Sequence, residues 1–357
     1  MINVTKSYLP DIDTYTKRLE GIWQNHHLTN RGPLVQELEK EICHKLKLTN
    51  LLYVSNGTIA IQLAIKALNI SGEVITTPFS YVATTTSILW ENCKPVFCDI
   101  NPHTFCIDAD KLESLITPTT TAILATHVYG IPCDVEKIEA IAKKHNLKII
   151  YDAAHAFGVS YKNQSILNYG DVSTCSFHAT KLFHTVEGGS VTAKNAEVLK
   201  TLTLYHSFGH LGDDYFTQGI NGKNSEFHAA MGLCNLPMLD TLIASRKKSS
   251  ELYTSLLSNK NISRPQIPAQ TQYNYAYYFI VFESEKVLLN VKETLFKNEI
   301  NTRRYFYPSL NKLPYLSETN ACPVSEDIAK RVLCLPLYFD INPHDVERIC
   351  KLINTAI

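Results

Sequence analysis

The sequence predicts an α/β fold in which a mostly parallel sheet lies between two layers of helices, followed by a smaller α+β domain. The first observation is that short apolar runs alternate with amphipathic segments through the first two-thirds of the chain. Near-continuous apolar strands of this kind are typical of a buried parallel sheet with helices on both faces. The second observation is a change of pattern after about residue 240. A chain of 357 residues suits one large and one smaller domain, which we assign to 1–240 and 241–357.

Strands and helices alternate in order along the large domain. Apolar runs rich in β-branched residues predict strands, and apolar residues spaced three and four positions apart predict helices. The predicted strands are 51–54, 73–77, 94–100, 121–128, 147–152 and 170–177. The predicted helices are 35–46, 59–68, 80–90 and 135–146, the last with Asn146 near its end.

The remaining third of the chain has a long helix first and shorter elements after it. We place the domain boundary in that helix, which is predicted over 238–257. A loop with two prolines then separates it from the elements of the smaller domain. These are a strand at 277–282 and helices at 287–298, about 324–333 and 343–356.

Composition and charge exclude several classes of protein. Thirty-four basic side chains balance thirty-four acidic ones, so no basic excess favours a nucleic acid or an anionic membrane as a partner. No apolar run approaches the roughly 20 residues of a membrane span, and no signal peptide is visible at the start. The ten cysteines are scattered without C-x-x-C pairs. We therefore expect reduced thiols and a cytoplasmic location.

Common nucleotide and metal motifs are missing from the sequence. There is no G-x-G-x-x-G after the first predicted strand, no G-x-x-x-x-G-K-[ST] and no H-E-x-x-H. His206 and His210 have the i, i+4 spacing of a metal pair, but no acidic or cysteine partner lies at ligand spacing nearby. We therefore expect no metal site.

A first candidate site lies at Ser55-Asn56-Gly57-Thr58, between a predicted strand and the helix that follows it. The free N–H groups and the dipole at a helix N-terminus bind anions such as phosphate. The alternative is that Asn56 or Thr58 only caps the helix, which is a common role for both residue types.

Two further candidates, Asp152 and Lys181, also follow predicted strands. A carboxylate after the apolar run LKIIY is costly to bury unless it is paired, and a protonated pyridine nitrogen, as in pyridoxal phosphate, would pair it. Helix capping is the alternative for Asp152. A lysine in a closed pocket loses its proton readily and becomes a nucleophile, whereas a surface lysine is the alternative for Lys181.

The order of these three segments resembles that of pyridoxal 5′-phosphate (PLP) enzymes of fold type I. A phosphate-binding turn is followed by a carboxylate and then, roughly 30 residues later, by a lysine. Over nearly its whole length the chain is similar to the DegT/StrS family of nucleotide-sugar aminotransferases, whose fold is the aspartate aminotransferase type. The stretches that carry the resemblance include NGTIAIQLAIKAL, EVITTPFSYVAT, PVFCDINPHTFCID, HVYGIPCD, IYDAAHAFGVSYKNQSILNYGD, SFHATKLFHTVEGG and RRYFYPSL.

The resemblance implies roles for four residues around the pyridine ring. Lys181 forms the Schiff base with PLP and moves a proton during catalysis. Asp152 holds the pyridine nitrogen protonated, and His155 lies near the ring hydroxyl. Tyr81 stacks on the ring face, with core packing as the alternative.

The phosphate of PLP is assigned in the same way. Gly57 and Thr58 hold the phosphate, and Ser176 assists. Lys223 occupies a position from which the neighbouring subunit usually reaches the phosphate in the family, so a homodimer with shared active sites is implied. Many relatives have Asn or Arg there, and a solvent-exposed lysine is the alternative.

The implied reaction transfers an amino group from L-glutamate to a nucleotide-linked 4-keto-6-deoxy sugar. The expected substrate is dTDP-4-keto-6-deoxyglucose, on the way to a surface polysaccharide. Arg31, Arg303 and Arg304 are candidates for the nucleotide phosphates, and Tyr305 and Tyr307 for the sugar site. Ordinary surface arginines and core tyrosines are the alternatives for these five residues.

Two other functions remain open from the sequence. One is amination at C3 of a related keto sugar, and the other is a PLP-bound regulatory protein without turnover. Lys181 disfavours a dehydratase, because the family's dehydratases carry His at that position. The pair of Asp152 and Lys181 disfavours the regulatory protein, because a binding protein has no need for the lysine.

Overall fold

The computed structural model describes residues 1–257, 262–316 and 319–357. The helices are α1 (Ile12–Asn25), α2 (Pro33–Leu46), α3 (Gly57–Ala67), α4 (Val82–Trp90), α5 (Val135–His145), α6 (Ala196–His206), α7 (Glu226–Asn235), α8 (Leu239–Leu256), α9 (Glu285–Lys297), α10 (Pro323–Arg331) and α11 (Pro343–Ala356). The longer strands are β1 (Leu52–Val54), β2 (Glu73–Thr76), β3 (Lys94–Phe97), β4 (Thr120–Thr126), β5 (Lys148–Asp152), β8 (Val172–Ser176), β9 (Gly189–Ala193), β14 (Tyr278–Phe282) and β15 (Val332–Leu335), and the two-residue strands are β6 (Ser160–Tyr161), β7 (Gln164–Ser165), β10 (His210–Leu211), β11 (Asp214–Tyr215), β12 (Ile262–Ser263) and β13 (Thr271–Gln272).

The central sheet has seven strands in the order β1-β9-β8-β5-β4-β2-β3. Neighbours from β8 to β3 pair in parallel, whereas β9 pairs antiparallel with both β1 and β8. The predicted mostly parallel sheet is therefore confirmed, with β9 as its one reversed strand. The sheet brings the carboxyl ends of β1, β5 and β8 to the same edge.

Helices cover both faces of the sheet because each face carries its own apolar side chains. Alternate residues of β4 show this division: Ala122 and Leu124 belong to one apolar cluster, and Ile123 and Ala125 to the other. The first cluster includes residues of α3, α4 and α6, and the second includes residues of α2, α5 and α7. The predicted three-layer arrangement is therefore confirmed.

The C-terminal part of the chain forms a smaller α+β unit. Strands β12, β14 and β15 make an antiparallel sheet, and apolar residues of α8, α9 and α11 pack with it in a cluster of their own. Part of β14 and β15 also contacts the larger core through Phe279 and Cys334. The domain boundary at residue 240 lies at the start of α8 and stays a prediction.

The first turn of α10 is completed by a carboxylate that follows a strand of the central sheet. Cys322 precedes the helix, and its side chain makes no capping hydrogen bond. Instead, the two Asp99 oxygens accept hydrogen bonds from the backbone N–H groups of Val324 and Ser325, at 3.0 and 2.9 Å. Asp99 follows β3, so this contact joins the end of a central strand to the start of α10.

Several elements differ from the sequence prediction. The helices α1, α6 and α7 and the strand β9 were not predicted, and the helix expected over about 324–333 ends at Arg331 because β15 begins at the next residue. In the described parts of the chain, no helix is long and apolar enough to cross a membrane. All ten cysteines are free thiols, and nine of them are buried.

Candidate active site

A cavity of about 410 Å³ opens where the carboxyl ends of β1, β5 and β8 meet. This edge is where ligands bind in open α/β sheets. Ten of the residues that the sequence singled out line it: Asn56, Gly57, Thr58, Tyr81, Asp152, His155, Ser176, Lys181, Arg303 and Tyr305. Segments that each follow a strand, but lie far apart in sequence, therefore converge on one site.

One end of the cavity is the N-terminus of α3. Asn56 caps this helix, because its side-chain oxygen accepts a hydrogen bond of 2.9 Å from the N–H of Ile59. The N–H groups of Gly57 and Thr58 come first in the helix and have no acceptor within it. Gly57 lies close against Ser176, since a Cβ on residue 57 would sit 2.9 Å from the Ser176 Cβ. The helix end thus offers donors suited to an anion, next to a serine hydroxyl.

Asp152 ends β5 and is only 6% exposed. Its Oδ2 accepts a hydrogen bond of 2.7 Å from the Thr84 hydroxyl, and its Oδ1 accepts one of 3.0 Å from the N–H of Ala154. Burial raises the pKa of the carboxyl, and the Thr84 and Ala154 hydrogen bonds and the Lys181 charge oppose that shift. A carboxylate held this way favours a cationic partner inside the cavity.

Further hydroxyls extend the hydrogen-bond chain behind Asp152. The Thr84 and Ser80 hydroxyl oxygens lie 2.8 Å apart, and the Thr126 hydroxyl donates to Ser80 at 3.1 Å. All three residues are buried. The chain fixes the orientation of the Thr84 hydroxyl and, through it, that of the carboxylate.

The Lys181 amine lies in the same cavity and has a phenol beside it. Its Nζ donates to the Tyr277 hydroxyl over 3.5 Å. Burial lowers the pKa of the amine, and the Asp152 carboxylate is the largest influence in the opposite direction. A lowered pKa increases the fraction of neutral amine, which is the form that acts as nucleophile or base.

His155 lies deep in the wall of the cavity and is 5% exposed. Its Nδ1 accepts a hydrogen bond of 3.2 Å from the N–H of Tyr129, and its ring is parallel to that of Phe306, with centroids 5.6 Å apart. Burial lowers the pKa of this imidazole well below its usual value. His155 is therefore a neutral ring at physiological pH.

Four residues predicted to bind cofactor or substrate do not line this cavity. Arg31 pairs with Glu39 at 2.7 Å, and Arg304 pairs with Glu285 at 2.6 Å while lying over the ring of Tyr307. These contacts engage the three predicted substrate residues Arg31, Arg304 and Tyr307 outside the cavity wall.

The fourth residue is Lys223, whose Nζ lies 4.5 Å from the centroid of the Phe208 ring. Arg303, in contrast, lines the cavity and also lies over the ring of Tyr305. The roles proposed from the sequence for all these residues stay predictions.

Thr84, Ser80, Thr126 and Tyr277 were not predicted from the sequence to belong to the site. The hydroxyl-rich run PFSYVATTT was a signal for the first two, because it starts a helix next to the site. Nothing in the run NYAYYF distinguishes Tyr277 from the tyrosines around it.

His206 and His210, whose spacing is that of a metal-binding pair, make other contacts in the structure. His206 is buried and its Nδ1 lies 2.9 Å from the Ser207 hydroxyl, while the His210 Nδ1 lies 2.9 Å from the carbonyl oxygen of Gly212. Within the described ranges, no three His, Cys, Asp or Glu side chains are grouped to hold a metal ion.

The groups that line the cavity match the chemistry of PLP. Helix N–H groups and the Ser176 hydroxyl suit a phosphate, the buried Asp152 carboxylate suits a protonated pyridine nitrogen, and the Lys181 amine suits an aldehyde. The close approach of Gly57 to Ser176 leaves no room for a side chain at residue 57. The residues present therefore fit this cofactor.

Comparisons with known proteins point in the same direction. Two dTDP-4-amino-4,6-dideoxy-D-glucose transaminases, from Shigella dysenteriae and Escherichia coli, are 42% and 39% identical to this chain, and each comparison covers 99% of this chain and 98% of the relative. The crystal structure of DesI in the presence of its TDP-sugar product has a TM-score of 0.94 at 29% identity, covering 99% of this chain and 93% of DesI. The structure of Spr1654 from Streptococcus pneumoniae in its PLP form has a TM-score of 0.90 at 25% identity, with 98% of each chain covered.

The family assignment rests on nearly the whole chain. The sequence profile of the DegT/DnrJ/EryC1/StrS aminotransferases matches residues 11–354, a range that includes every residue in the wall of the cavity. The resemblance noted in the sequence is thereby confirmed. This chain belongs to the DegT/DnrJ/EryC1/StrS aminotransferase family.

Proposed function

We propose that this protein transfers the amino group of L-glutamate to C4 of dTDP-4-keto-6-deoxyglucose and so forms dTDP-4-amino-4,6-dideoxyglucose. The observation that carries the proposal is the convergence of Asp152, Lys181 and the α3 N-terminus on one cavity. The nucleotide and the position of amination come from the two relatives at 42% and 39% identity, whose names state that product.

PLP is the cofactor for which these residues are suited. Gly57, Thr58 and Ser176 would hold its phosphate, and Asp152 would hold its ring nitrogen in the protonated form. When bound, PLP supplies an electron sink that stabilises the negative charge left as a proton leaves the carbon bearing the amino group. The protein contributes the charge of Asp152, because an ionised carboxylate keeps the ring nitrogen cationic.

Lys181 is the proton carrier in this proposal. Its amine takes the proton from Cα of glutamate and later returns a proton to C4 of the sugar. Burial, which lowers the pKa of the amine, favours the neutral form that accepts a proton, and the ammonium form that results gives the proton up again within the same half of the reaction. The buried, neutral His155 adds no second positive charge beside it.

The sugar nucleotide needs cationic groups for its diphosphate. Arg303 lines the cavity and is exposed, so its guanidinium is accessible to a phosphate. Tyr305 and Phe306 contribute aromatic wall on the same side, next to which a sugar ring packs. Arg31, Arg304 and Tyr307 contribute only if substrate binding breaks their present contacts.

We also propose that the enzyme works as a homodimer with shared sites. Lys223 lies outside the cavity of its own chain, which supports a role towards the phosphate in a neighbouring subunit. The free, mostly buried cysteines suit the reducing cytoplasm, where we place the protein. Its product would supply an amino sugar for a surface polysaccharide.

The test is turnover with purified protein, PLP, L-glutamate and dTDP-4-keto-6-deoxyglucose. Release of 2-oxoglutarate together with an NMR signal for an amine-bearing C4 supports the proposal. An amine on C3 of a 3-keto isomer, with no reaction of the 4-keto sugar, would replace it with the C3 transaminase. A visible cofactor band that L-glutamate does not change, with no turnover of either sugar, would indicate the regulatory protein.

A further inference from the structure

Tyr277 is the residue through which the smaller C-terminal unit contacts Lys181. It immediately precedes β14, and its phenol oxygen is the hydrogen-bond partner that the structure gives for the Lys181 Nζ, at 3.5 Å. Tyr277 is partly buried and lines the cavity beside His155 and Tyr305. The titratable groups whose charges raise the pKa of Lys181 are Asp152, Tyr305, Cys175 and Tyr81.

The backbone just before Tyr277 is held in place from two sides. The fully buried Asn274 amide donates to the carbonyl oxygens of His155 and Phe157, at 2.9 and 3.0 Å. The buried Arg246 guanidinium donates to the carbonyl oxygen of Ala276 at 3.1 Å. Asn274 and Ala276, which come just before Tyr277, are thus held in place by buried side chains. The position of the Tyr277 phenol is therefore set by the fold.

The ring of Tyr277 is also fixed by its aromatic neighbours. It makes T-shaped contacts with the His155 ring, at a centroid distance of 4.9 Å, and with the Tyr305 ring, at 5.6 Å. Burial raises the pKa of the phenol, so it stays a neutral O–H group at physiological pH. A neutral partner holds the lysine nitrogen without the strong stabilisation of the ammonium form that a second carboxylate would give.

We propose that Tyr277 is a positioning residue for Lys181, whose free amine it holds by a hydrogen bond on the side of the cavity next to His155. The proposal rests on the proposed function only for the use made of that amine, which is proton transfer at Cα of glutamate and at the sugar carbon. The hydrogen bond itself belongs to the chain without cofactor and is testable there.

The first experiment measures the Lys181 amine directly in the cofactor-free, full-length chain. Its rate of acetylation by acetic anhydride is followed against pH by peptide mass spectrometry, in the wild type, Tyr277→Phe and Tyr278→Phe. Hydrogen bonds to charged groups are stronger than those to neutral ones, so loss of the phenol destabilises the ammonium form more. We expect the midpoint of the pH dependence of Lys181 acetylation to move about one pH unit lower in Tyr277→Phe.

Tyr278→Phe is the matched control because it removes the neighbouring buried phenol. The Tyr278 hydroxyl contacts the Thr254 hydroxyl at 3.3 Å and Arg264 at 3.4 Å, and its ring belongs to the C-terminal apolar cluster. The midpoint for Lys181 should not change in this variant. An unchanged midpoint in Tyr277→Phe, or an equal shift in both variants, would overturn the proposal.

The second experiment asks whether the hydrogen bond serves proton transfer in the holoenzyme. In Tyr277→Phe we expect kcat to fall about tenfold with little change in KM for glutamate, since one hydrogen bond that positions the base is lost. The isotope effect with α-deuterated glutamate should rise, because proton transfer becomes slower relative to other steps. A fall in kcat with an unchanged isotope effect would contradict a positioning role.

The two proposals fail in different ways. If the wild type turns over no keto sugar, the proposed function is wrong, yet the acetylation midpoints still decide whether Tyr277 holds Lys181. If the wild type is active and the midpoint does not move, the positioning role is wrong and the proposed function stands.

Discussion

The Thr84 hydroxyl donates a hydrogen bond of 2.7 Å to Oδ2 of the buried Asp152 carboxylate. This contact joins the first turn of α4 to the end of β5 and favours the ionised form of Asp152. Thr84 thus opposes the effect of burial on the one carboxylate in the cavity that would face a cationic ring nitrogen.

Replacing Thr84 by Val should therefore destabilise the ionised form of the Asp152 carboxyl. Removal of the hydroxyl raises the pKa of that carboxyl further, so activity should be lost at a higher pH as the solution is acidified. We expect the acidic limb of the kcat/KM profile to move up by about one pH unit. Thr86→Val is the control, because the Thr86 hydroxyl bonds to the carbonyl oxygen of Val82 instead. Equal profiles for Thr84→Val and the wild type would contradict the role of Thr84.

Asp152→Asn should have opposite effects on activity and on the stability of the cofactor-free chain. A neutral amide does not keep a ring nitrogen protonated, so turnover should fall on the order of a hundredfold or more. Measured rates within a few-fold of wild type would show that another group supplies the charge.

The stability effect of Asp152→Asn follows from the sign of the pKa shift. Because burial raises the pKa of Asp152, the folded chain loses stability as pH rises from the ordinary value of about 3.9 through the raised one. The Asp152→Asn variant has no carboxyl to ionise at this position, so it does not lose stability in this way as pH rises. Its melting temperature without cofactor should exceed that of the wild type by about 1 to 3 °C near pH 8, and the difference should vanish near pH 4. A variant that melts lower at both pH values would contradict the assignment.

Lys181→Ala should remove turnover while leaving the fold intact. Without the amine there is no group to carry the proton, and we expect a loss of about a thousandfold or more in 2-oxoglutarate release. Lys194→Ala is the control, because Lys194 is exposed and pairs with Glu139 at 3.1 Å on the surface. Activity in Lys181→Ala close to that of the control variant would show that a different residue carries the proton.

Gly57→Ala should weaken cofactor binding at its phosphate end. The new Cβ would lie 2.9 Å from the Ser176 Cβ, so the start of α3 or the end of β8 must move. We expect the Kd for PLP, measured by equilibrium dialysis, to rise about tenfold, equivalent to about 1.4 kcal/mol. Gly21→Ala in α1 is the control, since a Cβ there meets no atom within 4 Å. Equal affinities in the two variants would contradict the tight contact.

The sequence predicted the parts of the fold that have a local signal. Apolar runs before Asp152 and before Lys181 identified β5 and β8, and three site segments after strands predicted one shared edge. Strand β9 (Gly189–Ala193) has small residues and no alternation, and it is buried because β1 and β8 flank it in the sheet and helices α3 and α6 pack against it. Its place in the sheet is a tertiary effect that no window of sequence shows.

The site shows the same division between local and tertiary signals. Residues with a distinctive chemical role, such as Asp152 and Lys181, were found from their type and position. Thr84 and Tyr277 act through contacts with those two residues, over 68 and 96 positions in sequence. Neither a hydroxyl in a helix nor one tyrosine among several has a pattern that predicts its partner.

The contact of Asp99 with α10 limits how this chain can be recombined with its relatives. The helix takes the acceptor for its first N–H groups from a loop more than two hundred positions earlier in the sequence. A chimera that exchanges the C-terminal third alone would keep Asp99 but replace the helix whose N–H groups donate to it. A chimera that preserves this contact therefore takes residue 99 and α10 from the same parent.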